Sequence, residues 1–202
     1  LSISLSRSKK NLFLQISKTE SNEYRFVNLA KNDFKLNLFL KRRNKHLYYI
    51  EDSPNEFFIL SNKNNQKNFA LYKTKLDVID EKKWRVFVRH NKNELLEDFQ
   101  VFKNYIVLET RKNGLPQLLQ VNKKNQKKTY LKFKDSAYDA YLSSNQNYES
   151  KSFKFCYSSL RTPTAIYSHN FISHNRKKLW QKNINNFKEN KYVSKRIYIK
   201  AR

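Results

Sequence analysis

Residues 105–124 read YIVLETRKNGLPQLLQVNKK, and this stretch decides the fold class. An apolar run rich in β-branched residues ends in a polar turn that contains Asn113 and Gly114, and a second alternating run follows. This pattern predicts two antiparallel strands joined by a hairpin turn in which glycine supplies a positive φ. Similar units recur at roughly 45 to 50 residues, the spacing of a repeat architecture, and are centred on Phe13, Phe58, Ile106 and Phe155.

Sixteen short strand-like runs can be counted over these four periods, the first at Leu12–Ile16 and the last at Arg196–Lys200. Four strands per unit match a β-propeller blade, whose antiparallel strands pack against the next blade. A β-sandwich also has many short strands, but it would not have the period. The sequence therefore predicts an all-β protein made of about four propeller blades, with four antiparallel strands in each blade.

The formal net charge of +25 is the second prominent feature, with 42 Lys and Arg against 17 Asp and Glu. Such a charge favours a polyanion partner when the cations lie on one face. Here they are scattered, and Lys, Asn, Ile, Phe and Tyr are abundant together, as in AT-rich coding sequences. Aromatic and basic residues also alternate in KHLYY and KSFKFCY, which could stack bases, but alternation on a strand favours buried rings and solvated lysines. We do not expect nucleic-acid binding.

Other features of composition bound the class of protein. Cys156 is the single cysteine, which favours a reducing, cytoplasmic location. No apolar run approaches the ~20 residues that span a bilayer, so no membrane partner is expected. Since the sequence contains no Met, we expect it to be an internal segment of a longer protein.

Catalytic motifs are missing from the sequence. Gly114 is the single glycine, so the G-x-S-x-G elbow of an α/β hydrolase, a P-loop and a G-x-G-x-x-G turn are all excluded. His169 and His174 should project to opposite faces of a strand, and His46 and His90 have no Ser and Asp placed around them by sequence. Cys156 is interpreted as a buried small hydrophobic residue. We therefore predict no catalytic, cofactor-binding or metal-binding residue and no cofactor.

Paired acidic residues occur at Glu51-Asp52, Asp80-Glu81 and Glu97-Asp98. Neighbours on a strand cannot face each other across a cleft, so glycosidase chemistry is not indicated. The pairs are interpreted as solvated turns or as ion-pair partners for Lys and Arg, and Glu97-Asp98 as a possible element of blade packing. Glu109 is expected to pair with Arg111.

Three segments resemble one family of enzymes. Residues 95–118, LLEDFQVFKNYIVLETRKNGLPQL, contain an LLE-x-F run, a strand ending in E-x-R, and then N-G-L. This order resembles the oligopeptidase B branch of the prolyl oligopeptidase family of serine peptidases. Residues 56–76 are similar to the strand–SN–KNF–L-x-[RK]-T segment of that family, and residues 153–171 to its YSS-x-x-TP segment.

The resemblance implies the last four blades of a seven-bladed propeller over residues 1–182, a linker over 183–195, and over 196–202 the first strand of a truncated α/β-hydrolase domain. The full-length enzyme would cleave short peptides after Lys or Arg, using Ser, Asp and His of the hydrolase domain, with the propeller as a lid that filters substrates by size. The implied partners are that domain and short basic peptides. Two alternatives stay open: a non-catalytic basic β-repeat module that binds RNA or another polyanion, and a pseudo-enzyme remnant.

Overall fold

The structure is a computed structural model that describes residues 1–31 and 34–200. Almost all regular structure in this part of the chain is β-strand, with three short 3-10 turns at Lys63–Asn65, Glu81–Lys83 and Glu189–Lys191. The strands are β1 Ser2–Leu5, β2 Asn11–Lys18, β3 Ser21–Asn28, β4 Asn37–Leu40, β5 Tyr48–Asp52, β6 Glu56–Ser61, β7 Ala70–Lys75, β8 Arg85–Val88, β9 Glu94–Val101, β10 Tyr105–Lys112, β11 Leu115–Asn122, β12 Lys128–Tyr130, β13 Tyr138–Leu142, β14 Ser152–Ser159, β15 Ala165–Asn170 and β16 Arg176–Gln181.

The strands form four antiparallel sheets of four, each made from four consecutive strands in chain order. We call them the first to fourth blades: β1–β4, β5–β8, β9–β12 and β13–β16. The repeat positions Phe13, Phe58, Ile106 and Phe155 all lie on the second strand of a blade. The predicted all-β, four-blade propeller segment is confirmed.

One observed strand was not predicted, one predicted strand is not formed, and the strand predicted at Tyr130–Phe133 lies earlier, as β12 Lys128–Tyr130. β1 (Ser2–Leu5) was not predicted; its side chains are exposed, and it is a strand because it pairs with β2. The strand predicted at Arg196–Lys200 is not formed, and among the described residues after Gln181 the only regular structure is the 3-10 turn. A strand needs a neighbour for its backbone hydrogen bonds, and this segment has none in the part of the chain described. Its assignment to a hydrolase domain stays a prediction.

Three hydrophobic cores lie between adjacent blades rather than within any one of them. On β6, Phe57 and Ile59 face the first blade, whereas Phe58 and Leu60 face the third. The inner blades are thus covered on both faces, so their second strands read as continuous apolar runs such as FFIL and YIVL instead of alternating ones.

The outer faces of the first and fourth blades lack such a cover. Ile3 is 65% exposed on the first blade and Trp180 is 52% exposed on the fourth. The outermost strands of the first, second and fourth blades each contain a bulge at the same register, at Phe39, Phe87 and Leu179. This shared irregularity is a further sign that the blades are repeats of one unit.

Candidate functional site

The turn between β1 and β2 is hydrogen-bonded to the end of β5 in the next blade. The Asp52 carboxylate accepts bonds from the Ser8 N–H (2.8 Å), the Ser8 hydroxyl (2.6 Å) and the Asn11 side-chain amide (2.8 Å). Asp52 is fully buried. The interpretation of Glu51-Asp52 as a solvated turn or an ion pair is wrong for Asp52, because three fixed donors take the place of both water and a cation.

Glu51 lies at the same junction. Its Oε1 accepts bonds from the Arg7 N–H (2.8 Å) and the Asp52 N–H (2.9 Å), and burial raises the pKa of Glu51 to about 7. The Arg7 guanidinium donates to the Val101 carbonyl in the third blade (3.1 Å) and lies 4.9 Å from the Phe102 ring. One side chain of the first blade therefore reaches past the second blade, and β5 contacts β9 directly. The first strands of the blades converge, as around a propeller axis.

A second carboxyl is held between the third and fourth blades. Glu109 accepts a hydrogen bond from the Leu142 N–H of β13 at 2.6 Å. Burial raises the pKa of Glu109 to about 7, and the negative charge of Asp98 adds to the effect. Loss of solvation next to the surrounding protein also raises the pKa of Asp98, although part of this side chain is exposed to solvent. Near neutral pH, Glu51 and Glu109 are therefore partly protonated, and their ionised fraction can attract a cationic group.

The predicted Glu109–Arg111 pair is wrong. Arg111 instead forms a two-pronged ion pair with Glu97, at 2.7 and 3.2 Å. The register of β9 against β10 shifts between Glu109 and Thr110, which leaves Glu97 as an extra residue on β9. Such a bulge re-aims side chains, so Glu97 reaches Arg111. The Asp80-Glu81 prediction holds: Glu81 pairs with Arg43 at 2.7 Å, and Asp80 caps the following 3-10 turn.

His46 is the histidine with partners that resemble a catalytic set. Its Nε2 lies 2.9 Å from the Ser61 hydroxyl and 3.9 Å from Glu81. Both partners meet the same ring nitrogen, however, while Nδ1 faces the Arg43 guanidinium at 2.9 Å. Burial lowers the pKa of His46 to about 4, and Ser61 is fully buried. A triad needs a base whose two nitrogens contact different partners and a nucleophile open to substrate, so this cluster is structural.

His169 and His174 lie closer together than the sequence predicts. Their ring centroids are 5.6 Å apart, because β15 ends at Asn170 and the chain turns back through His174, which has a φ of 57°. The expectation of opposite strand faces is therefore wrong. Burial lowers the pKa of His169 to about 4. In the described residues no group of three or more His, Cys, Asp or Glu could hold a metal ion.

Three other interpretations concern packing. Gly114 has a φ of 75° and Asn113 one of 51°, as the predicted hairpin turn requires. Cys156 is half-buried rather than buried, because its side of β14 is the uncovered face of the fourth blade. The rings of Tyr48 and Phe155, from the two aromatic and basic stretches, are fully or almost fully buried. They are therefore not available to stack on bases.

The tail after β16 lies against the propeller instead of extending away from it. The Thr162 hydroxyl lies 3.3 Å from the Glu189 carboxylate, and Ser136 donates to the Ser194 carbonyl at 3.0 Å. The Arg196 guanidinium donates to the backbone of the turn between β10 and β11. The tail thus runs from the fourth blade to the third across one end of both blades.

A pocket of about 320 Å³ lies at that end of the fourth blade. Asp135 lies in its wall and accepts bonds from the Tyr157 hydroxyl (2.5 Å) and Arg161 Nε (2.5 Å), and the Thr162 hydroxyl lies 3.3 Å from it. Burial opposes ionisation of Asp135, but the bonds from Arg161 and Tyr157 outweigh it and lower its pKa to about 2. The sequence carries no signal for this pocket, because the residues that form it are spread over residues 133–189.

No helix in the described parts of the chain is long and apolar enough to cross a membrane.

Comparison with known proteins gives consistent matches. A family profile described as the N-terminal β-propeller domain of prolyl oligopeptidase matches residues 1–182. Over 202 residues the chain is 27% identical to dipeptidyl aminopeptidase BI of Pseudoxanthomonas mexicana, covering all of this chain and 28% of that protein. It is 26% identical over 170 residues to protease 2 of Moraxella lacunata, covering 84% of this chain and 24% of that one. The chain therefore spans about a quarter of the length of these relatives.

Solved structures with the same fold include two oligopeptidases. Oligopeptidase B from Trypanosoma brucei, in a closed form with covalently bound antipain, superposes with a TM-score of 0.87 at 22% identity, over 95% of this chain and 29% of that one. Oligopeptidase B from Leishmania major gives a TM-score of 0.87 at 19% identity, over 94% and 28%. At these identities the superpositions establish the fold.

Proposed function

Because this chain belongs to the prolyl oligopeptidase family, as part of its N-terminal β-propeller domain, we propose that it is the lid of a serine endopeptidase that hydrolyses short peptides after Lys or Arg. The catalytic Ser, Asp and His would be supplied by an α/β-hydrolase domain, the partner of this propeller. This chain forms part of the propeller that covers the active site, which admits oligopeptides and excludes folded proteins. The single cysteine favours a cytoplasmic location for the enzyme.

The observation that carries the proposal is the set of buried or part-buried hydrogen bonds that fix the first blade to the second and the third blade to the fourth. Asp52 holds the turn of the first blade. Glu109 and Gln120 hold the fourth blade to the third, through the Leu142 N–H and the Phe171 carbonyl. Blades joined in this way do not separate easily, because a bond broken between them leaves a buried polar group without a partner. A size filter requires such rigidity.

Charge supports the choice of substrate. Glu51 lies on β5, the first strand of its blade, and Glu109, on β10, bonds the first strand of the next blade. Carboxyl groups there lower the free energy of a cationic peptide as it approaches the channel. The rest of the chain is strongly basic and repels a basic peptide. The peptide would therefore bind more favourably near these carboxyl groups than elsewhere on the surface.

The proposal is tested on the full-length protein that carries this segment. Fluorogenic peptides ending in Arg or Lys should be cleaved, and a serine-directed inhibitor should abolish the cleavage. Activity on a peptide series of increasing length should fall sharply, and a folded protein with exposed Lys and Arg residues should resist cleavage. An inert full-length protein would overturn the peptidase assignment. Equal cleavage of short peptides and whole proteins would overturn the filter.

A further inference from the structure

The pocket at the end of the fourth blade has aromatic walls. Phe133 stacks on Tyr157 with ring centroids 5.1 Å apart, and Phe155 stacks on Tyr167 at 5.5 Å. The two pairs come from the segment after β12 and from β14 and β15, and they enclose a space of about 320 Å³. This volume is at the small end of the range for ligand sites and suits a single amino-acid residue or a dipeptide.

Arg176 lines this pocket without a polar partner. Its guanidinium lies 5.1 Å from the centroid of Phe133 and 5.7 Å from that of Phe155. It makes no hydrogen bond and no ion pair within residues 1–31 and 34–200. The neighbouring Arg161 differs, because Asp135 engages its Nε at 2.5 Å. Arg176 is exposed, so the cation–π contacts hold its guanidinium over the rings while its N–H donors stay open to a ligand from solvent.

The charge around Arg176 is not neutralised by the pocket itself. Four cationic residues line the pocket against two acidic ones, Asp135 and Glu189. Asp135 is held by Arg161 and Tyr157, and Glu189 lies 3.9 Å from the Arg161 guanidinium. The Thr162 hydroxyl lies 3.3 Å from both carboxylates and donates its one proton to one of them. The pocket therefore retains an excess of positive charge beside apolar rings.

We propose that this pocket binds a carboxylate carried on an apolar or aromatic side chain, which is the chemistry of the C-terminal residue of a peptide. The guanidinium of Arg176 forms the two parallel bonds that a carboxylate accepts. The aromatic walls hold the apolar side chain. Because this site binds a ligand without a reaction, the proposal does not depend on peptidase activity and is tested separately from it.

Two small ligands that differ only in charge test the site. Binding of N-acetyl-phenylalanine and N-acetyl-phenylalaninamide to the full-length protein is measured by calorimetry, after a serine-directed inhibitor has blocked any active-site serine. We expect the acid to bind about tenfold more tightly than the amide, since a charge-assisted bidentate contact is lost in the amide. Added salt should weaken binding of the acid and leave that of the amide unchanged.

Arg176→Gln and Lys177→Gln form a matched pair of variants. Both remove one positive charge from adjacent positions of β16, but Lys177 pairs with Ser168 and points to the opposite face of the sheet. R176Q should abolish the preference for the acid, and K177Q should retain it. Near-UV circular dichroism of both variants confirms that the aromatic packing is intact. Equal binding of acid and amide, no binding of either, or the same loss in both variants would overturn the proposal.

Discussion

Replacing Asp52 by alanine tests the buried bonds between the first and second blades. The substitution removes the acceptor of three hydrogen bonds, from the backbone and hydroxyl of Ser8 and from the amide of Asn11. Asn11 is 2% exposed, so its amide cannot turn to water, whereas Ser8 is half-buried and can be partly resolvated. An unsatisfied buried donor costs about 1–3 kcal/mol. We expect D52A to lower the free energy of unfolding by about 3 kcal/mol.

Two variants separate this effect from others. Asp52→Asn keeps the volume but replaces the carboxylate with an amide that accepts fewer bonds, so its cost should be smaller than that of D52A. Glu149→Ala breaks the ion pair with Lys103, whose side chains are 60% and 59% exposed, and should change the free energy of unfolding by no more than about 0.5 kcal/mol.

Tryptophan fluorescence can follow this interface directly. Trp84 is 7% exposed and packs in the core between the first two blades, with its ring 6.0 Å from that of Phe39. Trp180 lies on the fourth blade, so a Trp180→Phe background leaves Trp84 as the single reporter. Urea unfolding at two protein concentrations detects any self-association through the exposed end faces. If D52A costs no more than E149A, the argument from buried hydrogen bonds is wrong.

Two further predictions concern pH and the hairpin turn. The folded-state pKa values of Glu51 and Glu109 are both about 7, against an ordinary 4.5. The folded protein therefore binds these protons more tightly than the unfolded chain, and its free energy of unfolding should fall as pH rises from about 4.5 to 7. Glu109→Gln should reduce the drop in urea midpoint between about pH 5 and pH 7.5; an unchanged drop would contradict this origin. Gly114→Ala should cost about 1 kcal/mol, because its φ of 75° disfavours a Cβ atom, whereas Asn113→Gly should cost nothing; equal thermal midpoints for the two variants would refute the positive-φ argument.

Local pattern predicted the repeat well. Phe13, Phe58, Ile106 and Phe155 lie on equivalent strands, and a positive φ at Gly114 follows from the turn that Asn113 begins. These features depend on neighbours in sequence, where alternation and turn chemistry act. The strand β1 was missed for the opposite reason. β1 is short and its side chains are exposed, so only its pairing with β2 makes it a strand.

The errors at polar residues have a common cause. The partners of Asp52 lie more than 40 residues away in the first blade, and the fate of a carboxylate depends on what it meets there. Glu97 reaches Arg111 because of a single extra residue on β9. His174 meets His169 because the chain turns back after Asn170. Sequence neighbours carry no signal for such contacts.

The amino-acid sequence by itself determined that this protein is a series of four-stranded repeats and that it contains no G-x-S-x-G elbow, because periodicity and glycine content can be read directly from the sequence. Only the tertiary structure decided which carboxyl groups are buried between blades, and that Arg176 lies beside aromatic rings with no polar partner among residues 1–31 and 34–200. The physical reason is that burial and charge pairing depend on distances between blades. Those distances are set when apolar faces from residues about 45–50 positions apart pack together.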